Sequence, residues 1–347
     1  MLRRLRHLQC LILMMISFGI WAEPNNSIHD DKVNIGVQTI TFFDSERETP
    51  IITEIFYPAD PKVKAFIPRD VWKREPEARD AEFSKLKRKY PLILFSHGSL
   101  GSRLDSVWFM YALVKAGYMV ASVDHYGDTW NLTLPKITLQ PWLRAKDISF
   151  ALRALLNHPA FKDHINPEAI GFAGLSQGGL TGIWLAGGEA NIYPKPTLDN
   201  KAMIDPNLPI DEAMIDGIHY SVGRKNYNDP LIKAFFLMAP DYGFVFDAKG
   251  LSKIEKPIYL ISGDEDKVVP IQLNILHFAK YINRHQLTIL PKAGHFVFLN
   301  EPTERGGAVL LPELITDHPS VNRHKVHKQI EQEAVHFFNK QLRKESS

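Results

Sequence analysis

Cysteine is almost absent from this chain, because its 347 residues contain only Cys10. One cysteine excludes an intramolecular disulfide. Cys10 precedes an apolar run, and we interpret it as a passenger residue of a leader and not as a site of lipid attachment. Covalent catalysis after removal of that leader would have to use a nucleophile other than cysteine.

Net charge is also nearly absent, since 41 basic residues face 39 acidic ones and the formal charge is +2. Removing residues 1–22 takes away three arginines and no acid, so the charge becomes −1. No net basic charge remains to attract nucleic acid, and we predict no such partner. We interpret the basic run at 85–89 as solvated surface; a transient contact with anionic lipid stays open.

Long apolar runs are confined to the N-terminus, where Arg3, Arg4 and Arg6 precede the run Leu8–Ile20. The run is short for a membrane span, and this order is typical of a secretory signal peptide at 1–22. The sequence therefore predicts an exported protein, periplasmic or secreted. Ile20 is atypical beside a cleavage site, so an uncleaved N-terminal anchor remains the alternative.

The remaining chain, residues 33–343, has the composition and length of one globular domain. Two alternating runs, 35–42 and 51–57, predict an antiparallel start, and the segment 59–89 that follows is charged and interrupted by prolines. From Pro91 onward, strand-like and helix-like runs alternate. This pattern predicts an α/β fold with a mostly parallel central sheet and helices on both faces.

One segment interrupts the alternation, at about 187–230, where prolines are frequent and periodicity is weak. It follows the helix that we predict after the central strand. We interpret it as a short, irregular cap insertion over the active site, where it would control the access of substrate.

A Gly-x-Ser-x-Gly motif, formed by Gly174, Ser176 and Gly178, lies between an apolar run at 170–173 and a helix-compatible run at 180–186. Strand, sharp turn and helix form the context of a nucleophile elbow. The helix directs its first amides and positive dipole end at the turn, which favours negative charge there. The motif predicts Ser176 as a nucleophile.

A serine nucleophile needs a histidine base and a carboxylate, and in this fold class they follow the serine in the order acid, then histidine. His295 follows the last predicted strand and is the candidate base. Asp266 is the candidate acid among three carboxylates after the strand at 258–262, where we interpret Asp264 as a turn residue. Asp241, after the preceding strand, remains the alternative acid.

The oxyanion hole of such a site combines the amide after the nucleophile with an amide from an earlier loop. These are Gln177 and Ser99 in this sequence, and we interpret the neighbouring His97 as structural. His324 and His327, one helical turn apart, have no third ligand nearby. We interpret them as a solvated helix face, and the sequence predicts no metal site and no cofactor.

Together these residues resemble the α/β-hydrolase superfamily, and within it the bacterial dienelactone-hydrolase-like group that includes esterases of the platelet-activating-factor acetylhydrolase type. The resemblance covers about 91–342. Besides the elbow, the matching motifs are Phe95-Ser96-His97-Gly98 with Gly101-Ser102-Arg103, Ala116-Gly117-Tyr118-Met119-Val120-Ala121 with Asp124-His125, Arg144 with Asp147-Ile148, and Ala293-Gly294-His295-Phe296-Val297-Phe298.

The resemblance implies a nucleophile at Ser176, a base at His295 and oxyanion amides at Ser99 and Gln177. Two departures matter. Dienelactone hydrolases use a cysteine nucleophile, so their activity is not implied. Acetylhydrolase-type relatives take their acid after the strand that corresponds to 235–238, which keeps Asp241 open.

The sequence thus predicts a serine hydrolase of small carboxylic esters with short-chain or lipid-derived acyl groups. A peptidase of the same fold and a non-catalytic exported binding protein are the alternatives. Seven aromatic residues near the predicted catalytic edge are candidates for an acyl pocket, and we expect at least half of them to be core. They are Trp108, Phe109, Tyr111, Tyr126, Trp130, Phe296 and Phe298. The substrate's alcohol and the oligomeric state are not encoded in these patterns.

Overall fold

The computed structural model describes residues 33–192 and 208–343. The predicted signal peptide at 1–22 lies outside these residues, as do residues 193–207 of the predicted cap. No helix within the two described ranges combines the length and apolar character that crossing a membrane requires.

The described strands form one mixed sheet and one small hairpin. In chain order they are β1 Asn34–Asp44, β2 Thr49–Ala59, β3 Glu77–Arg79, β4 Tyr90–Ser96, β5 Met119–Val123, β6 Asp128–Thr129, β7 Leu132–Thr133, β8 Ile165–Leu175, β9 Ile232–Met238, β10 Ile258–Gly263 and β11 His285–Leu290. The sheet order is β11-β10-β9-β8-β4-β5-β2-β1-β3, and β6 pairs with β7. The pairs β1–β2 and β2–β5 are antiparallel, as predicted for the start of the chain. The six neighbouring strands β11, β10, β9, β8, β4 and β5 are all parallel to one another.

Helices cover both faces of the sheet. They are α1 Val107–Lys115, α2 Pro135–Thr138, α3 Leu143–Asn157, α4 Gln177–Leu185, α5 Glu212–Asp216, α6 Ala248–Leu251, α7 Ile275–Tyr281, α8 Glu304–Val309, α9 Pro312–Ile315 and α10 Arg323–Leu342. Two 3-10 turns, Gly243–Val245 and His295–Phe298, follow β9 and β11. One hydrophobic cluster joins α3, α4 and α7 to the sheet, and a second joins α1 and α10 to its other face.

Strand β4 shows why the sheet is buried on both sides. All of its residues are buried; Leu92 and Leu94 belong to one cluster, and Ile93 and Phe95 to the other. Successive side chains of a strand point to opposite faces, so a continuous apolar run fits a central strand between two helical layers.

The basic run 85–89 is exposed, as predicted, but sequence patterns did not predict a strand within the charged segment 59–89. Residues Glu77–Arg79 form β3, which pairs parallel with β1 at the sheet edge. Glu77 is buried, and its carboxylate accepts hydrogen bonds from Arg74 and Tyr111, each at 2.5 Å. These partners compensate the desolvation of the carboxylate, which explains how a charged tripeptide occupies a strand.

The parallel direction of β4, β8, β9, β10 and β11 places the carboxyl ends of all five strands at one edge. The loops that follow these strands meet there, outside the sheet. This edge brings together the loops that carry the predicted site residues.

Candidate active site

Ser176 lies in the sharp turn between β8 and α4. Its backbone has φ 57° and ψ −118°, a region that a non-glycine residue rarely adopts. Its amide donates to the carbonyl of Met238 at 2.8 Å, and its carbonyl accepts from Leu180 in the first turn of α4 at 3.0 Å. Strained backbone held by surrounding hydrogen bonds is typical of a functional turn.

The two glycines of the motif allow this turn to pack closely. A Cβ atom at Gly174 would lie 2.3 Å from the carbonyl oxygen of Gly178, and one at Gly178 would lie 1.9 Å from that of Ser96. Both distances are shorter than nonbonded atoms allow. A side chain at Gly174 would clash with the turn itself and one at Gly178 with the end of β4, so the spacing of the motif follows from packing.

Asp266 and His295 form a buried pair. The Asp266 Oδ2 atom lies 2.7 Å from His295 Nδ1, and Oδ1 accepts the amides of Val268 and Val269 at 3.0 and 2.7 Å. Both carboxylate oxygens are therefore fixed. A proton on Nδ1 leaves Nε2 of His295 as the basic nitrogen, which is the tautomer that a general base requires.

The loops that carry this pair are held together by the neighbouring carboxylates. Asp264 accepts the amide of Lys292 at 2.6 Å, and the Lys292 ammonium pairs with Glu265 at 2.9 Å. A Cβ atom at Gly263 would lie 2.0 Å from the Ala293 carbonyl oxygen, so the two loops touch through backbone. Of the three acids after β10, Asp266 is the one that contacts the imidazole.

Asp241 lies at a different place, where it lines a cavity together with Ser176 and His295. Its amide contacts the carbonyl of Ser176 at 3.4 Å, and its Oδ1 atom accepts the amide of Tyr242 at 2.6 Å. Burial raises the pKa of Asp241 to about 6, and the negative charge of Asp266 also raises it, whereas His295 acts in the opposite direction. The Nδ1 atom of His295 is hydrogen-bonded to Asp266, and this favours Asp266 over Asp241 as the partner of the imidazole.

The loop after β4 lies against the elbow, as the predicted oxyanion hole requires. Gly98 and Ser99 line the same cavity as Ser176, and a Cβ atom at Gly98 would lie 3.4 Å from Ser176 Cβ. Gln177 is the first residue of α4, and the first amides of a helix have no intrahelical acceptor. The amides of Ser99 and Gln177 therefore belong to the two backbone segments that flank the serine.

His97 has structural contacts, in agreement with the interpretation from sequence. Its Nε2 atom accepts the amide of His125 at 3.2 Å, and its Nδ1 atom lies 2.6 Å from the carbonyl oxygen of Gly98. Burial, and then the nearby positive charge of Arg144, hold the pKa of His97 well below its ordinary value. The ring is therefore neutral, with its proton on Nδ1.

A cavity of about 1050 Å³ opens above Ser176 and His295. Two of the seven candidate aromatic residues, Trp130 and Phe296, line it. Phe109, Tyr111 and Phe298 are core residues. The mostly apolar walls come from 70–72, 98–105, 268–274, 296–299 and 310–314.

The cap prediction does not agree with the described part of 187–230. Among its described residues, 187–192 and 208–230, none lines this cavity. They pack beside α3 and α4 instead: the Gly223 carbonyl accepts from the Trp184 indole at 3.1 Å, and Tyr220 packs edge-on against Trp142. Sequence reasoning missed the walls at 70–72 and 310–314, because charged and proline-containing segments carry no pattern that points to a pocket.

His327 corrects the interpretation of a solvated histidine pair. It is buried, and its ring stacks on that of Trp108 with the ring centroids 3.9 Å apart. Its Nε2 atom lies 2.8 Å from the carbonyl oxygen of Val297, in the segment that follows His295. Burial lowers the pKa of His327 to about 3, so the ring is neutral and Nε2 donates. His324 is exposed and pairs with Glu301. Within the described ranges, no group of three or more potential ligands could hold a metal ion.

A second serine, histidine and aspartate set, which sequence reasoning missed, lies beneath the oxyanion loop. Ser96 Oγ is 2.8 Å from His125 Nε2, and His125 Nδ1 is 2.8 Å from Asp147 Oδ2. All three side chains are buried. His125 and Asp147 belong to motifs that carry the family resemblance. Their presence in those motifs was the sequence signal from which this second set could have been predicted.

Comparisons with known proteins agree with this fold. The family model of platelet-activating factor acetylhydrolase, isoform II, matches residues 70–134. The solved ferulic acid esterase from Streptomyces cinnamoneus superposes with a TM-score of 0.64 at 18% identity, covering 92% of this chain and 93% of that one. The chain therefore has the α/β-hydrolase fold, which confirms the predicted fold class.

Curated relatives are distant. The acylamino-acid-releasing enzyme of Mus musculus is 24% identical over 60% of this chain and 29% of its own length. The lysophosphatidylserine lipase ABHD12 of Danio rerio is 23% identical over 65% of this chain and 58% of its own length. The hydrolase YtaP of Bacillus subtilis is 25% identical over 56% of this chain and 76% of its own length. This chain spans less than two thirds of the length of the first two relatives.

Proposed function

We propose that this protein is a serine hydrolase of carboxylic esters, with Ser176 as nucleophile, His295 as base and Asp266 as the acid that orients it. The observation that carries the proposal is the 2.7 Å contact of Asp266 with His295, at a cavity that Ser176 also lines. The strained elbow and the amides of Ser99 and Gln177 supply the remaining requirements of such a site.

The reaction begins when Nε2 of His295 takes the hydroxyl proton of Ser176 while Oγ attacks the ester carbonyl. The amides of Ser99 and Gln177 stabilise the resulting oxyanion. The imidazolium then donates its proton to the departing alkoxide, and the acyl group remains on Ser176. Water, deprotonated by His295, attacks the acyl-enzyme, and the returning proton restores Ser176. These steps use side chains, amides and water alone.

The cavity supports substrates with an apolar acyl group. Its volume of about 1050 Å³ is at the upper end of ordinary small-molecule sites, and most of its lining is apolar. We therefore propose short-chain or lipid-derived acyl esters as substrates. The similarity to an acetylhydrolase family model and to a lysophosphatidylserine lipase supports the same class.

A peptidase is the second candidate, because an acylamino-acid-releasing enzyme is among the relatives. An amide substrate requires protonation of a poorer leaving group but uses the same serine chemistry. Parallel assays with acyl esters and N-acyl amino acid anilides separate the two functions. Faster turnover of the anilides would favour the peptidase.

The test of the proposal is hydrolysis of a series of p-nitrophenyl esters, from acetyl to palmitoyl, by wild type and Ser176→Ala. We expect turnover by the wild type that Ser176→Ala abolishes. No turnover of any ester or anilide by a folded wild type would overturn the enzymatic proposal and favour a binding protein with a decayed site.

We also propose export, on the sequence of residues 1–22 alone. Expression of the full chain with a C-terminal tag, followed by fractionation and N-terminal sequencing, tests this. A mature N-terminus near Glu23 outside the cytoplasm supports a cleaved signal peptide. An intact N-terminus in the membrane fraction supports the anchor, and an intact chain in the cytoplasm contradicts export.

A further inference from the structure

Arg144, at the start of α3, reaches the oxyanion loop from below. Its guanidinium is buried, and it donates from Nη1 to the carbonyl of His97 at 2.5 Å and from Nη2 to that of Gly98 at 3.0 Å. Charge-assisted hydrogen bonds in a buried environment are the stronger ones. Arg144 thus fixes the carbonyls of two successive residues.

The carbonyl of Gly98 and the amide of Ser99 belong to the same peptide unit. In a planar trans peptide these two groups point in opposite directions. The Gly98 carbonyl accepts from Arg144 and also contacts Nδ1 of His97 at 2.6 Å. Because the carbonyl is held towards α3, the Ser99 amide is directed to the opposite side of the peptide, away from Arg144.

Asp128 links Leu100, the residue after Ser99, to the guanidinium of Arg144. Its Oδ2 atom pairs with Arg144 at 2.7 Å, and its Oδ1 atom accepts the amide of Leu100 at 3.1 Å. Leu100 has φ 53°, a conformation that is unfavourable for leucine and persists where surrounding contacts hold it. Asp128 and Arg144 together therefore hold the backbone on both sides of Ser99.

We propose that Arg144 is a positioning residue, which acts through the Gly98–Ser99 peptide to keep the Ser99 amide directed at the oxyanion. This role rests on the proposed esterase function. Arg144 contacts no reacting atom in this account. A planar guanidinium serves two carbonyls and one carboxylate at once, whereas the compact ammonium of lysine cannot reproduce that geometry.

The expected consequence is a selective loss of transition-state stabilisation. Loss of one oxyanion donor lowers kcat by about 10²- to 10³-fold. We expect Arg144→Lys to lower kcat by at least about tenfold while KM changes by less than about threefold, because the ground-state carbonyl needs the amide less than the oxyanion does. Asp128→Asn, which keeps an acceptor for Leu100, should lower kcat less.

Arg153 supplies the matched control. It lies on the same helix and pairs with the buried Asp229 at 2.9 Å, far along the chain from the oxyanion loop. Arg153→Lys weakens the pair between Arg153 of α3 and Asp229 and leaves the contacts of the oxyanion loop at 97–100 unchanged. We expect its kcat to equal that of the wild type.

The experiment measures kcat and KM on the best ester for wild type, Arg144→Lys, Asp128→Asn and Arg153→Lys, with thermal unfolding of each. It also measures the inhibition constant of a trifluoromethyl ketone, which forms a tetrahedral adduct. We expect the Arg144→Lys inhibition constant to rise by the same factor by which kcat falls, while KM stays nearly constant.

A folded Arg144→Lys protein with wild-type kcat overturns the inference while leaving the proposed function intact. Equal losses in Arg144→Lys and Arg153→Lys also overturn it, because they would indicate a general effect on α3. If Arg144→Lys does not fold, Asp128→Asn decides: a fall in kcat at constant KM supports the role, and an unchanged kcat rejects it. A wild type without turnover that depends on Ser176 removes the proposed function itself.

Discussion

Among the residues that the structure describes are two serine, histidine and aspartate sets with the same residue types and different surroundings. The first is Ser176, His295 and Asp266, of which Ser176 and His295 line the large cavity. The second is Ser96, His125 and Asp147, buried beneath the oxyanion loop. In both sets the histidine Nδ1 contacts the aspartate, at 2.7 and 2.8 Å. The constellation of side chains alone therefore does not define an active site.

The differences concern access, backbone and charge. Ser96 is 0% exposed at the end of a central strand, whereas Ser176 lies in a strained turn at the start of a helix and lines a cavity. Burial, then the positive charges of Arg144 and Arg47, hold the pKa of His125 well below its ordinary value. Neither Ser96 nor His125 lines the large cavity, and burial disfavours a charged imidazolium at His125, so we interpret the buried set as structural.

The largest effect we expect is that of Ser176→Ala on ester turnover. Removing the nucleophile should lower kcat by about 10⁶-fold, since no other group can form the acyl-enzyme. Thermal unfolding should stay at the wild-type temperature. Turnover that persists in this variant would show that another serine carries the reaction.

The second prediction separates the two candidate acids. Asp266→Asn should lower kcat by about 10³- to 10⁴-fold, because an amide no longer stabilises the correct tautomer and the imidazolium. Asp241→Asn, which leaves the Asp266–His295 contact intact, should lower kcat by less than about tenfold. Steady-state kinetics of both variants measure the two losses in kcat. A larger loss in Asp241→Asn than in Asp266→Asn would assign the role of the acid to Asp241.

These two aspartates show where sequence reasoning reached its limit. Both follow buried parallel strands at the same edge, so the sequence pattern favoured Asp266 but left Asp241 open as the alternative acid. The choice depends on where loop 264–270 places its carboxylate, and the contacts of Asp264 and Glu265 with Lys292 determine this in the folded chain.

Other features were accessible or hidden for physical reasons. Continuous apolar runs predicted the central strands and the elbow, because buried parallel strands need them. His327 was assigned to the solvated face, although it shares its spacing with Ile330, Ala334 and Phe337 on the buried stripe of α10. The irregular segment at 187–230 has no periodic face, so the packing of its described parts, 187–192 and 208–230, beside α3 and α4 had no signal in the sequence.

The third prediction concerns stability and pH. The pKa of Asp241 is about 6 in the folded chain, above the ordinary value near 4, so the folded state favours the protonated carboxyl. Its ionisation therefore costs stability as the pH rises through about 4 to 6, and the cost is complete above that range. Asp241→Asn removes this cost.

We expect Asp241→Asn to gain about 1–3 kcal/mol in unfolding free energy relative to the wild type when the pH is raised from about 4 to 8. Urea unfolding at both pH values measures this difference. Asp163→Asn, on the exposed surface, controls for the change in net charge. An equal difference between Asp241→Asn and wild type at both pH values would contradict the prediction.

The smallest effect we expect is that of Ser96→Ala, which tests the buried set. It leaves Nε2 of His125 without its hydrogen-bond donor and should cost about 1 kcal/mol of stability. Turnover should fall by less than about threefold, since Ser96 contacts no substrate in this account. Urea unfolding and ester kinetics together check the expectation: Ser176→Ala loses activity and keeps stability, and Ser96→Ala does the opposite. A loss of turnover at Ser96→Ala comparable to that at Ser176→Ala would abolish the distinction between the two sets.

The most direct test is reaction of the folded wild type with a fluorophosphonate probe, followed by peptide mapping by mass spectrometry. The account predicts one adduct, on Ser176, which disappears in Ser176→Ala and persists in Ser96→Ala. An adduct on Ser96, or a folded wild type that does not react, would contradict it.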